Sequence, residues 1–370
     1  VFQTSGGTIL NQNAVSNFFA NPDLTPEIHK ELELGIEAKF FKNRVGVDVS
    51  LYTKDSEDLI IDLDLDNSTG YSSSTVNSAS INNKGVEAIL NVIPVQSRDF
   101  TWDVTASFSL LRSEVISIAD GIDQIYVGGY VGRGNIAIPG LPYGILEGEV
   151  IRRDYGSLDG TDHTQVHWDD RTNYTPIVNA NGGYQFLGYG VIGNPQPDFV
   201  YGVTNTLSYK WATLRVQFDS QVGGDVFSTT NSTLLGRGIL QETDFDRFVP
   251  VVTKGLSADG TPNTTQTTAN AHYWPNTGVF YDENSIYDAS VMRLREVSLS
   301  FVAPKSFLNG TPFGNASLTL SAQNIWHYAW NTPSGTNFDP EVISYGAGSN
   351  ARGFDEMTGP TAKKYGATLS

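Results

Sequence analysis

The chain has 370 residues, a formal net charge of -17, 39 % hydrophobic residues and no cysteine. The charge excludes nucleic acid as a partner, because displacing phosphate counterions needs a basic face, and the missing thiols exclude disulfides, thiolate metal sites and a cysteine nucleophile. No apolar run approaches the eighteen or so residues of a spanning helix, which excludes a helical membrane protein but leaves a β-barrel, whose strands need only about nine to eleven residues with every second one apolar.

The chain opens at Val1 with neither an initiator methionine nor a signal peptide and reads as a mature protein or an internal fragment. The first predicted strand, 31–42, places Leu32, Leu34, Ile36, Ala38 and Phe40 on one face and Glu31, Glu33, Gly35, Glu37 and Lys39 on the other. That period of two belongs to a strand separating two environments. Its hairpin partner, 44–54, sets Val45, Val47, Val49 and Leu51 against Gly46, Asp48 and Ser50. A polar loop is predicted over 62–80. Strand 85–93 then alternates Val86, Ala88, Leu90 and Val92 with Glu87, Ile89 and Asn91, and after a turn at 97–99 strand 100–111 opposes Phe100, Trp102, Val104, Ala106, Phe108 and Leu110 to Thr101, Asp103, Thr105, Ser107 and Ser109.

Residues 116–197 read as a long irregular segment, too long for a passive connection inside a compact domain. Strands 199–210 and 211–221 form the next hairpin, with Ala212, Leu214, Val216 and Phe218 opposite Thr213, Arg215, Gln217 and Asp219. A second long segment fills 223–284. Strand 291–301, a modest connector through Pro304 and Pro312, strand 316–326, a third long loop and a last strand over 361–370 complete the pattern. Two places break the alternation. Asn205 shares a face with Tyr201, Val203 and Leu207, and Arg293 and Arg295 share one with Val291, Val297 and Leu299. A bulge accounts for the arginines; alternation gives no account of Asn205.

Short connectors near 43, 98, 210 and 308 alternate with long ones near 70, 155, 255 and 345, so every long loop leaves on the same side. The expected fold is therefore all-β, a transmembrane antiparallel up-and-down β-barrel of which about nine strands are present. Phe40, Phe41, Phe100, Trp102, Tyr209 and Trp211 lie near short turns, where such a barrel carries an aromatic girdle. Glu37, Asp48, Glu87, Asp103, Arg215 and Asp219 are expected to face a polar lumen. The valines and leucines opposite them should meet lipid.

The chemical motifs are sparse. Asp62, Asp64 and Asp66 imitate the start of a calcium loop, but Asn67 holds the glycine place and Ser73 the bidentate glutamate place. His163 and His167 are four apart among Asp159, Asp162, Asp169 and Asp170, a spacing that would suit two ligands on a helix, but a polar loop accounts for them better than a metal does. No nucleophile elbow, zinc-protease motif or phosphate loop occurs, so no enzyme, metal or cofactor is expected. The long loops are the place for binding. Their candidate substrate surfaces are Tyr126, Tyr130, Trp168, Tyr184 and Trp274, with Tyr143, Phe186 and Tyr273 nearby, on which sugar rings or peptide side chains could stack; packing of the loops on one another is the competing use.

The runs Asn21-Pro22-Asp23-Leu24-Thr25-Pro26-Glu27, Asn83-Lys84-Gly85-Val86-Glu87, Gly193-Asn194-Pro195-Gln196-Pro197-Asp198-Phe199, Arg293-Leu294-Arg295-Glu296 and Ala322-Gln323-Asn324-Ile325 occur in that order. Together they resemble the barrel of SusC/RagA-type TonB-dependent transporters of Bacteroidetes. That resemblance implies a bacterial outer-membrane location, a barrel of twenty-two strands with this chain as its C-terminal portion, and a plug and earlier strands upstream. It also implies short periplasmic turns, long extracellular loops, and uptake of oligosaccharides or peptides with a SusD-like surface lipoprotein. Coupling to TonB–ExbB–ExbD would run through the N-terminal region that this chain lacks. A receptor or assembly platform without active transport, and a soluble secreted glycan-binding β protein, are the competing expectations.

Overall fold

The structure is a computed structural model and describes residues 2–3, 9–10, 17–130, 132–154, 173–276, 282–333, 335–336, 338–341, 344, 351–359 and 361–370. Nine strands form its wall: β1 (Ile28–Phe40), β2 (Val45–Asp64), β3 (Ser73–Gln96), β4 (Phe100–Ser117), β5 (Phe199–Tyr209), β6 (Ala212–Val222), β7 (Val291–Val302), β8 (Ser317–Tyr328) and β9 (Lys364–Leu369). Each pairs antiparallel with its neighbours in sequence, giving one curved sheet in the order β1 to β9. These nine follow one another without a crossover, which is the up-and-down topology the connector lengths require, and the short strand Phe18–Phe19 adds to β3 in parallel at Ser73–Ser74.

The turns at one end are short for local reasons. Phe41, Lys42 and Asn43 all take positive φ between β1 and β2. Lys210 does so in the two-residue link between β5 and β6, where a left-handed first residue matches the twist of the flanking strands.

At the other end two expectations need correction. The polar loop predicted over 62–80 is mostly strand: β2 runs for 20 residues and β3 for 24, leaving only 65–72 as the connection. A membrane-spanning strand needs only about ten residues, and both strands run on past that length, where Ser56, Ser74 and Ala79 are buried. Polar pairs such as Asp62–Thr75 and Asp55–Asn82 hold the hairpin there. The left-handed Asp58 lies within a register shift between Ser56 and Leu59. The 17–27 segment lies along this tall hairpin: Asn77 donates to the Thr25 and Asp58 carbonyls, both at 2.7 Å, and Asn21 donates to the Thr75 carbonyl at 3.1 Å.

The segment 116–197, expected to be irregular, contains a meander of its own, Ile125–Tyr130, Arg133–Ala137, Ile145–Ile151 and Phe186–Gly193. In the second long segment, Asp225–Ser228 pairs with Ile286–Asp288 and, in parallel, with Phe354–Asp355 of the third. Leu146, Val150, Ile192, Phe227 and Phe354 pack as one buried cluster. Its members come from all three long loops, so these loops form a single body with a shared core.

Candidate functional site

The pairing register fixes which side chains share a face of the wall. Glu37 lies opposite Asp48, Asp48 opposite Ile89, and Ser50 opposite Glu87. Glu87 then lies opposite Ser109 and Ser109 opposite Val200. Gly202 connects Ser107 to Asp219, and Asp219 lies opposite Arg293. Nearer the short turns, Thr206 lies between Asp103 and Arg215. All six polar positions singled out in the sequence thus occupy one face. On the concave side, Asp48, Glu87, Ser107, Gln217, Asp219 and Arg293 line a groove of about 570 Å³.

The opposite face carries the row Val47, Leu90, Ala106, Val203, Phe218 and Leu294, and below it Trp102, Leu207, Leu214, Leu299 and Leu320. Leu34 and Ile36 are 67 % and 71 % exposed, far more apolar surface than a water-facing wall tolerates in one band.

Gly85 explains part of the run Asn83 to Glu87. It lies opposite Tyr52, and a Cβ placed on it would lie 2.2 Å from Cζ of that ring. Only glycine lets the tyrosine lie against the wall.

The arginines that break the alternation do so at a bulge. Gln217 pairs with Glu296 and Phe218 with Leu294, leaving Arg295 as the extra residue. Both side chains therefore reach carboxylates. Arg295 donates to Asp219 at 2.7 and 2.9 Å and to Glu341 through two further bonds, each 2.9 Å. Arg293 donates to Asp339 at 2.8 Å and to Asp219 at 3.3 Å. Burial alone would raise the Asp339 carboxyl, but the charge of Arg293, the Thr361 hydroxyl and the Glu341 N–H hold it below its usual value. The third long loop is thereby pinned to the wall.

Above the groove lies a second cavity of about 440 Å³, lined by Ser109, Tyr143, Gln196, Phe199, Val200 and Arg352 among others. It shares Ser109 and Val200 with the groove, so the two adjoin. The run Gly193 to Phe199 builds its wall. Asn194 N–H donates to Asp225 at 2.7 Å, Gln196 Nε2 donates to the Tyr143 carbonyl at 3.0 Å, and Arg112 clamps the Asp198 carbonyl at 3.0 Å. Burial pushes the Tyr143 phenol above its ordinary value.

Among the described residues, Tyr143 lines this cavity and the other loop aromatics lie elsewhere. Tyr126 sits in the meander opposite Ile136. Tyr184 accepts at its carbonyl from Asn179 and donates its N–H to Asn276 at 3.0 Å, and the Arg237 guanidinium lies 5.5 Å from the Trp274 ring centre. The Tyr130 side chain, Trp168, His163, His167 and the acidic residues around them lie outside the described residues. Sequence reasoning missed Gln196 and Arg352 as cavity residues, and it treated the two arginines as an irregularity. The signal for the arginines was present, since charges on an apolar face need partners.

A meander wall with a polar concave face, an apolar convex face and all long loops at one end defines the outer-membrane β-barrel class. The family described as "TonB dependent receptor-like, beta-barrel" matches residues 1–219, and the chain belongs to it. That family comprises receptors and transporters rather than enzymes. The chain is 28% identical over 330 residues to TonB-dependent receptor P3 of Formosa agariphila, covering 83% of this chain and 30% of that protein. It is 22% identical over 281 residues to TonB-dependent receptor SusC of Bacteroides thetaiotaomicron, covering 72% of this chain and 25% of SusC. It therefore spans about a third or less of the length of these relatives. In fold it is similar to the RagAB peptide transporter, with a TM-score of 0.64 at 21% identity over 94% of this chain and 36% of that one.

Proposed function

We propose that the protein carrying this chain actively imports oligosaccharides or peptides across the outer membrane, with the chain as the C-terminal portion of its barrel. The observation that carries this reading is the adjacency of the two cavities at Ser109 and Val200: an opening under the loops continues into a polar, acidic groove along the wall. Glu37, Asp48, Glu87, Asp103, Arg215 and Asp219 would then line the lumen, supplying hydrogen-bonding groups to a hydrated substrate while the opposite face meets lipid. A SusD-like lipoprotein over the long loops and TonB–ExbB–ExbD acting through a region outside this chain complete the proposal. RagAB, to which the chain is similar in fold, is a peptide transporter, which favours testing peptides first.

Removing the whole 116–197 segment is a poor test, because it would strip Leu146, Val150 and Ile192 from the core shared by all three loops. The better one changes the chamber alone. In cells expressing the full-length protein, Tyr143→Ala with Arg352→Ala should lower uptake of labelled peptide or oligosaccharide at least tenfold at equal surface levels. Uptake unchanged by this pair, or independent of TonB, overturns the reading.

A further inference from the structure

One concavity has the opposite character to the groove. At the short-turn end of the convex face, Trp211, Phe301, Ala303, Phe307, Leu318 and Leu369 help line an apolar slot of about 490 Å³. Its floor is wall: Phe301 lies opposite Ala212 and Leu318, and Leu318 opposite Leu369, one register step below the outward row of Leu214, Leu299 and Leu320. Its rim is the 303–316 connector, whose Phe307 and Phe313 are 77 % and 65 % exposed. The rings of Trp211 and Phe301 lie 5.6 Å apart inside it.

Charge is distributed unlike the rest of this acidic chain. The four short connections hold Lys42, Arg44, Arg98, Lys210 and Lys305 against the single carboxylate Asp99. Two of these cations flank the slot. Lys210 immediately precedes Trp211, and its ammonium lies 5.3 Å from the ring centre of Tyr209. Tyr209 is on the same convex face as Leu207 and Val203, so that ammonium is held on the outer side of the wall. Lys305 opens the helix Lys305–Leu308, between the slot residues Pro304 and Phe307. Among the described residues neither lysine forms an ion pair.

We propose that this slot is a binding site for one anionic phospholipid, an acyl chain lying against Phe301 and Leu318 and the phosphate between Lys210 and Lys305. An apolar trough at the depth of a membrane interface, with aromatic rings on its rim and two lysines able to extend their stems along it, matches both halves of such a lipid. The inference rests on the convex face meeting lipid, as the family assignment requires.

The test is native mass spectrometry of the full-length protein in detergent, equilibrated with equal amounts of dioleoyl phosphatidylglycerol and dioleoyl phosphatidylethanolamine. The expected result is about a tenfold preference for retaining one phosphatidylglycerol, the order expected of two basic side chains at an interface. Lys210→Gln with Lys305→Gln should abolish the preference, and Ala303→Trp, which fills the slot and keeps both charges, should abolish retention. Heat-modifiable mobility on gels verifies that each variant is a folded barrel. A folded wild type without the preference, or a double variant that keeps it, overturns the lipid site alone. A wild type that stays soluble without detergent and ignores both lipids overturns the membrane reading with it.

Discussion

Trp102 Nε1 donates a hydrogen bond to Asn205 Oδ1 at 3.1 Å, across the β4–β5 pair and on the apolar face of the wall. This accounts for the asparagine that alternation left unexplained: in hydrocarbon an indole N–H has no water to turn to, and an amide on the next strand satisfies it. Asn205→Leu should cost about 1 kcal/mol by orphaning the indole, and Trp102→Phe a similar amount by orphaning the amide. The double substitution should cost less than the two together. Urea unfolding of the full-length protein in detergent measures the cycle, and strictly additive effects would sink the idea that the pair acts as a unit.

Gly85 and Tyr52 make a similar cross-strand pair on the concave face. Gly85→Ala should displace the Tyr52 ring and lower stability by about 1–3 kcal/mol, the usual cost of overpacking. The same change in a Tyr52→Ser background should cost much less. Equal losses in both backgrounds would show that the glycine serves the backbone rather than the ring.

The pin between Arg293 and Asp339 predicts a pH dependence. Because the folded-state Asp339 carboxyl is held below its ordinary value of 3.8, its contribution is complete above the carboxylate range and is lost as pH falls through the depressed value. Asp339→Asn should therefore destabilise the third loop by about 3 kcal/mol at neutral pH, since a buried guanidinium loses a partner. The difference between wild type and variant should shrink below pH 4. Proteolysis of the 329–341 region with an acid-tolerant protease, compared across pH, reads this directly; a gap that stays constant down to pH 2 would refute the assignment.

Phe354 is fully buried against Phe227, with ring centres 5.7 Å apart, although the two belong to different loops. Phe354→Ala should cost the loop body about 3–5 kcal/mol, while the nine-strand wall keeps its heat-modifiable mobility. Protease sites should open in all three long loops together. Cleavage confined to the third would contradict a shared core.

The sequence by itself determined the wall. Nine strands, their order, their faces and the end at which the long loops leave were legible, because a strand between lipid and water must alternate and a hairpin in a membrane must turn tightly. Even the bulge at Arg295 was legible, as two charges on a face that does not tolerate them. The resemblance carried by runs such as Asn83 to Glu87 pointed to the family, but their physical reasons, a ring over Gly85 and a chamber built on Gln196, required the register. What only the tertiary structure decided lies where alternation has no cause. Past 54 and before 85, β2 and β3 are covered by the 17–27 segment rather than by lipid, so polar residues such as Ser56 and Ser74 are buried there and the apolar-polar pattern does not mark the strands as it does in the wall. The loop core likewise joins Leu146, Phe227 and Phe354 from segments far apart in the chain, and no local period records which distant loop a buried side chain will meet.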